Sequence, residues 1–169
     1  LGGTHTPAKR GGQRVAFQAR KQQKTTNTLW LCDRRGKAVS FLPPLSGNHH
    51  DVKDMEKQVD RLTEQLHLSC ISVDGLFFNA DAAFDCQAFR KAAQAKGMIP
   101  NIPRNPRKTK PWVDDDTYFD EVMYQKRFVI ESSNAWMDAH RTFLVRFDTS
   151  IQSWTAWHFI FCLLQWSKL

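Results

Sequence analysis

The chain has 169 residues, of which 41% are hydrophobic and 12% aromatic, so it can fold around a core and is not a disordered polymer. Its formal net charge of +7 favours a polyanionic partner, most simply nucleic acid, with an ordinary basic surface as the alternative. The longest apolar run, 154–166, is too short for a bilayer span, which needs about 20 residues. We therefore expect no membrane partner.

The positive charge is concentrated in two stretches of the sequence. One stretch lies entirely before the first acidic residue, Asp33, and the other lies in a proline-rich segment. Lysine and arginine side chains neutralise phosphates, so we interpret both stretches as contacts to a nucleic-acid backbone. Surface solvation is the alternative for any single residue. The candidates are Lys9, Arg10, Arg14, Lys21, Lys24, Arg104, Arg107 and Lys108.

The cysteines have no spacing typical of a zinc site and no secretory context for disulfides. We interpret them as small buried hydrophobic residues in a reduced cytoplasm. They are Cys32, Cys70, Cys86 and Cys162. Because the chain begins at Leu1 and not at Met, we expect that an upstream portion is missing.

The first half of the chain is predicted to be rich in strands. Residues 1–24 have little hydrophobic periodicity and indicate an extended or loop segment, with a short strand at 14–18. The apolar runs 29–32 and 38–42 flank a turn and predict a β-hairpin that ends at Pro43. A stripe of apolar residues then predicts an amphipathic helix through Val52, Met55, Val59, Leu62 and Leu66.

The middle of the chain alternates between strand and helix patterns. Segments 68–73, 76–80 and 98–102 are candidate strands. Asp85 is a candidate N-cap for a helix that runs to Lys96, with Gly97 as its C-terminal stop. This order predicts an α/β or α+β fold in which helices pack on a sheet.

The last third is predicted to be mostly helical. A loop at 103–116 precedes a long helix from about 118 to 139, and a final helix covers 151–165, with Trp154 and Trp157 in the core. The long helix carries apolar residues on much of its circumference, so we expect it to be mostly buried. Its one narrow polar stripe is a better candidate for a site than for a surface. The stripe consists of Tyr124, Arg127, Glu131, Asn134 and Asp138.

Asp81 follows the apolar run 76–80, at the carboxyl end of a predicted strand. Folds of the α/β class usually place ligands at this position. The alternative is an ordinary turn or capping residue.

Four segments carry motifs in a specific order: 4–12 (THTPAKRGG), 47–51 (GNHHD), 76–90 (LFFNADAAFDCQAFR) and 124–131 (YQKRFVIE). The third resembles the second-Asp motif of bacterial insertion-sequence transposases of the DDE type. The fourth is similar to the Y-x2-R-x3-E-x6-K signature of one subgroup, and the first two resemble connecting motifs of that subgroup. The resemblance covers nearly the whole chain.

The resemblance implies a ribonuclease H-like mixed sheet flanked by helices, with its first strand truncated. It implies one catalytic domain over 1–169, comprising a basic segment 1–27, a sheet-and-helix region 28–102, a loop 103–116 and a helical region 117–169. Its activity would be metal-dependent cleavage and strand transfer at transposon ends. Its partners would be double-stranded transposon and target DNA, bound by a homodimer in a synaptic complex in the bacterial cytoplasm.

The same resemblance assigns roles to individual residues. Asp81 and Glu131 would be the second and third catalytic carboxylates and would hold Mg²⁺ (or Mn²⁺), which prefers hard oxygen ligands. Arg127 would contact a DNA phosphate, and Tyr124 would stack on the DNA or contact phosphate near the transposon end. The alternative for Arg127 is an i, i+4 ion pair with Glu131.

Two positions depart from the family pattern. Gly2 stands where the family has its first catalytic Asp, so we expect severely impaired catalysis. Asp138 stands where the signature has Lys, and Arg141 is a candidate to compensate for the lost positive charge. A non-catalytic DNA-binding remnant of a transposase is therefore the main alternative, and a ribonuclease H-like nuclease acting on other nucleic acids is a third.

Asp138→Lys should strengthen binding to the transposon-end DNA, because it restores a phosphate contact. We expect the plot of log affinity against log salt to become steeper by about one counterion. Fluorescence anisotropy over a salt series measures this slope. Asp138→Asn is the matched control, since it removes the negative charge and adds no positive one. If Asp138→Lys binds no better than Asp138→Asn, a phosphate contact at this position is ruled out.

Overall fold

The computed structural model describes residues 1–50, 52–107 and 118–167. In chain order its elements are β1 (Gly2–Pro7), β2 (Ala16–Gln18), β3 (Gln23–Cys32), β4 (Ala38–Phe41), β5 (Leu45–Ser46), α1 (Met55–Leu68), β6 (Phe77–Asn79), α2 (Gln87–Ala95), β7 (Ile99–Asn101), α3 (Glu121–Gln125), α4 (Val129–Asp138), α5 (Arg141–Leu144) and α6 (Ile151–Ser167). This mixture of strands and helices confirms the predicted α/β class.

The chain divides into two compact units. The antiparallel unit comprises Gly2–Lys53 and Val129–Leu169, and the parallel unit comprises Leu1 and Asp54–Phe128. A single catalytic domain over 1–169 stays a prediction.

The antiparallel unit is built around β3, with which each of the strands β1, β2, β4 and β5 pairs in antiparallel fashion. Along one edge of β3, β1 pairs from Gly2 opposite Trp30 to Pro7 opposite Thr25. β2, β5 and β4 pair with successive parts of β3, at residues 23–25, 26–27 and 30–32. Neighbouring strands on both edges give the backbone of β3 its hydrogen-bond partners, which explains why so polar a strand can be buried.

The hydrophobic core of this unit lies between the sheet and its helices. Trp30 of β3 packs edge-on against Phe161 and Phe143, with ring centroids 5.4 and 6.3 Å away. The His158 ring stacks on Trp30 at 5.0 Å, and its Nδ1 lies 2.8 Å from the Trp154 carbonyl. The other buried residues of the cluster are Ala38, Phe41, Ile130, Met137 and Trp154.

A fully buried arginine connects the sheet to α6. The Arg146 guanidinium donates to Thr26 Oγ1 at 2.6 Å, to the Gln13 carbonyl at 3.0 Å and to the Asp148 carbonyl at 2.7 Å. It also lies 5.5 Å from the centre of the Trp154 ring. Burying a guanidinium requires such complete hydrogen bonding, because an unpaired charge in the interior is costly.

The parallel unit contains the β6–β7 pair, in which Phe77 pairs with Ile99 and Asn79 with Asn101. α1 buries the face that carries Val59, Leu62 and Leu66 of the predicted apolar stripe. α2 is held by a buried ion pair.

That ion pair corrects the predicted role of Asp85. Its Oδ1 accepts two hydrogen bonds from Arg90, at 3.1 and 2.9 Å, so it does not cap α2, whose N-cap is Cys86. The Arg90 guanidinium also donates to the Ile102 carbonyl at 2.6 Å, and Asp85 Oδ2 accepts from the Asn105 N–H at 2.9 Å. The pair therefore anchors the start of the basic loop after β7.

The predictions for strands and turns were partly wrong. Residues 2–7, predicted to be extended or a loop, form a strand, because pairing with β3 outweighs their glycine- and threonine-rich composition. The candidate strand 68–73 is instead the end of α1 and a turn, where Cys70 takes a positive φ of 57°. The predicted hairpin is confirmed as β3 and β4.

The predicted long helix is interrupted. A 3₁₀ turn at Lys126–Phe128 separates α3 from α4, so the polar stripe does not follow one continuous helical face. The expectation of a mostly buried helix is also wrong, since Val122 and Phe128 are exposed. Trp154 is buried as expected, whereas Trp157 is 40% exposed.

Cys70 is exposed, contrary to prediction. Burial raises the pKa of Cys162 to about 11 and keeps that thiol protonated.

Of the predicted loop 103–116, residues 103–107 are described, whereas Lys108 lies outside the described residues. None of the helices in the described ranges has the length and apolar character needed to cross a bilayer.

The stability of the antiparallel unit should fall as the pH is lowered from 6.5 towards 4. Burial lowers the pKa of His158 from 6.5 to about 4, so only the unfolded chain takes up a proton in this window. The buried ring is neutral in both states above pH 6.5, where its full contribution is present, and roughly 3 kcal/mol is lost by pH 4. Urea denaturation across this range measures the loss. The free energy of unfolding of His158→Phe should change less with pH over this range. An identical pH dependence in the two proteins would contradict the lowered pKa of His158.

Candidate nucleic-acid interface and carboxylate positions

Asp81 lies just beyond the carboxyl end of β6, in the parallel unit. Its Oδ1 accepts a hydrogen bond of 2.8 Å from the Ala83 N–H and so caps the 3₁₀ turn Ala82–Phe84. The side chain is only partly buried. The structure therefore shows the capping role directly, and a catalytic role for Asp81 stays a prediction.

A network of amides and one carboxylate connects the edge of the β6–β7 pair to α3. The buried Asn101 donates to Asn79 Oδ1 at 2.7 Å and to the Asp120 carbonyl at 2.9 Å, and it accepts from the Asp120 N–H at 2.8 Å. Asp120 caps α3 by accepting from the Met123 N–H at 2.9 Å. These bonds fix the start of α3 beside the strand ends.

Tyr124 belongs to α3, and Arg127 follows in the 3₁₀ turn. The guanidinium of Arg127 lies 5.4 Å from the Tyr124 ring centre and 5.1 Å from that of Phe128. Both side chains are partly exposed. The two predicted DNA contacts thus lie side by side in the parallel unit.

Glu131 lies in the first turn of α4, in the antiparallel unit, with an exposed side chain. Asp138 is the last residue of the same helix and is also exposed. Arg141, in α5, is exposed, and its guanidinium lies 6.0 Å from the Phe147 ring centre. A carboxylate in the first turn is favoured by the helix dipole, which gives Glu131 an ordinary reason to be there besides catalysis.

Gly2 begins β1 directly opposite Trp30. Residues that face each other in an antiparallel pair direct their side chains to the same side of the sheet, here towards the core that contains Trp30. A Cβ atom on Gly2 would lie 2.7 Å from Ile130 Cγ1, closer than real contacts allow. Gly2 itself supplies no carboxylate. Ile130, the residue before Glu131, fills the space that a side chain at this position would occupy.

The exposed basic residues of the first stretch gather at one end of the antiparallel sheet. The Ala8 N–H donates to the Lys24 carbonyl at 2.9 Å, and Lys21 Nζ lies 3.4 Å from the His5 carbonyl. We call this the basic surface. It consists of Lys9, Arg10, Arg14, Arg20, Lys21 and Lys24.

The second basic stretch is described only in part. Arg104 and Arg107 are exposed in the loop after β7, in the parallel unit. The Arg107 N–H donates to Asn105 Oδ1 at 3.0 Å, and Asn105 is itself held by Asp85. The loop backbone next to these two arginines is thus anchored to the buried ion pair of the unit.

Arg146 was not predicted to be buried. Its only sequence signal is a charged residue inside the apolar run 143–147. Arg146 matters to the basic surface because its backbone and side chain hold the segment that displays Lys9 and Arg10.

A family model described as Transposase DDE domain matches residues 3–166. The chain belongs to this family of DDE transposases, whose members act in DNA transposition and bind DNA. Its mixed α/β architecture is consistent with the ribonuclease H-like domain that the resemblance implied. No curated protein and no solved structure matches the chain.

Transposases of this family generally use divalent metal ions. The donors in this chain do not fit a site that requires three carboxylates. Gly2 supplies none, Asp81 uses one oxygen to cap a turn, and no group of three or more His, Cys, Asp or Glu residues within the described ranges is arranged to hold a metal.

Proposed function

We propose that the chain is a DNA-transposase domain of the Y-R-E-K subgroup that binds transposon ends and whose encoded phosphodiester chemistry is severely impaired. The observation that carries this proposal is the geometry at Gly2. The residue faces the core side of the sheet next to Ile130. By resemblance, it stands where the family has its first catalytic Asp. By resemblance, Asp81 and Glu131 would be the two remaining catalytic carboxylates.

The proposed DNA contacts come from both units. In the antiparallel unit the basic surface and Arg141 supply exposed cations for phosphates, and in the parallel unit Arg104 and Arg107 do so. Tyr124 and Arg127 add an aromatic and a forked guanidinium beside the capped start of α3. Positive side chains of this kind bind the DNA backbone without reading its sequence.

Binding and cleavage depend on different residues. None of the cations needs the carboxylates, so loss of the first carboxylate leaves DNA affinity intact. A homodimer that brings two transposon ends together in a synaptic complex remains part of the proposal. The second candidate function is a DNA-binding remnant without any cleavage activity. It is favoured by the same two observations, that the cations are exposed and that the carboxylate set is incomplete.

Cleavage of transposon ends should return with Gly2→Asp, because the substitution supplies the missing carboxylate once the Ile130 side chain shifts to admit it. We expect a rate at least roughly 100-fold above that of the encoded chain in Mg²⁺, or in Mn²⁺, since loss of a metal ligand removes much of the metal's catalytic effect. The substrate is labelled DNA with the sequences that flank the reading frame, cut by the full-length protein.

Gly2→Asn is the matched control, because Asn has nearly the size of Asp and meets Ile130 in the same way but carries no charge. It should stay as inactive as the encoded chain. Circular dichroism establishes that both variants fold. Equal and substantial activity of the encoded chain and Gly2→Asp would refute the impairment. If a folded Gly2→Asp is inactive, the non-catalytic alternative is favoured.

A further inference from the structure

Phe17 is an aromatic residue in the middle of the basic surface. It lies in β2 with 53% of its surface exposed, and it pairs directly with Lys24 of β3. Directly opposed residues of an antiparallel pair lie on the same face with their Cβ atoms about 5 Å apart. The Phe17 ring and the Lys24 side chain therefore share one patch of surface.

The charge around this ring is strongly positive. Arg20 and Lys21 follow β2 in a 3₁₀ turn, and Arg14 precedes it, all three exposed. The first acidic residue, Asp33, follows the opposite end of β3, roughly 30 Å along an extended strand. In the described segment 146–151, which holds the neighbouring loop with Lys9 and Arg10, Asp148 supplies the one carboxylate.

The loop that carries Lys9 and Arg10 is rigidly held. The Lys9 N–H donates to the Arg146 carbonyl at 3.0 Å, and the Gln13 N–H donates to the Thr149 carbonyl at 2.9 Å. Gln13 Oε1 in turn accepts from the Ile151 N–H at 2.9 Å, at the start of α6. Cations on a fixed backbone bind a polyanion with a smaller loss of conformational entropy.

We infer that Phe17 stacks on an unpaired base of a single-stranded DNA segment that follows the basic surface, an inference that rests on the proposed DNA-binding function. A strand that contacts the surrounding cations passes over the ring. Duplex DNA presents phosphates there and keeps its bases paired inside, so it offers the ring no partner. An unpaired strand presents the flat face of its bases, and aromatic side chains within cationic grooves bind single strands in this way.

The test compares a blunt duplex with the same duplex carrying a ten-nucleotide single-stranded extension, using fluorescence anisotropy with the full chain over a salt series. Phe17→Ala should weaken binding to the extended DNA by about tenfold, with an unchanged salt slope, and should change blunt-duplex binding less than twofold. Phe17→Trp should retain the preference for the extension. Lys24→Ala should weaken both DNAs and lower the salt slope by about one.

Leu163→Ala is the matched control, since Leu163 is 70% exposed on α6, a helix without charged residues. It should bind both DNAs as the encoded chain does. If Phe17→Ala behaves like Leu163→Ala, or weakens both DNAs equally, the stacking role is overturned while DNA binding stands. If the encoded chain binds neither DNA at low salt, the proposed function fails and this inference fails with it.

Discussion

The buried hydrogen bonding of β3 is the constraint on which the antiparallel unit depends. Residues 25–30 of this strand are almost wholly inaccessible, although four of the six are threonine or asparagine. Polar backbone and side-chain groups can be buried at this depth only when partners are supplied on every side. β1 supplies them along one edge, and β2, β5 and β4 supply them along the other. Arg146 adds a side-chain partner by donating to Thr26 Oγ1.

This pairing determines the surroundings of Gly2, which we propose stands at the family's first carboxylate position. The register of β1 with β3 places Gly2 opposite Trp30, and the face that Trp30 shares with the helices is filled by Ile130. A slip of one residue would direct every side chain of β1 to the other face, so the register cannot adjust to supply a different ligand. The cations that we propose bind DNA do not include the Gly2 position, which is why binding and cleavage separate in the proposed function.

The elements that were predicted correctly are those whose own residues carry the signal. The hairpin of β3 and β4 follows from two apolar runs around a turn, and α1 follows from the spacing of Val59, Leu62 and Leu66. β1 was missed because glycine and threonine have no apolar alternation, and its strand conformation comes from its pairing partner. The break at Lys126–Phe128 was missed because helical spacing of side chains continues through it in the sequence.

The candidate site was predictable to a similar extent. The motif around Asp81 could be located on the chain, but its bond to the Ala83 N–H depends on a local backbone turn. Asp85 shows the same limit, because its partner Arg90 forms an ion pair only once α2 has packed. The buried network of Arg146 joins groups more than 100 positions apart in sequence, which no local pattern reveals.

Direct titration with Mn²⁺ tests the central claim, that the encoded carboxylates do not form a metal site. Isothermal titration calorimetry on the full-length protein without DNA requires no knowledge of the transposon ends. The account predicts no saturable binding in the micromolar range, because the first of three ligands is absent and its space contains Ile130. Saturable micromolar binding by the encoded chain that is lost in Asp81→Asn would contradict it.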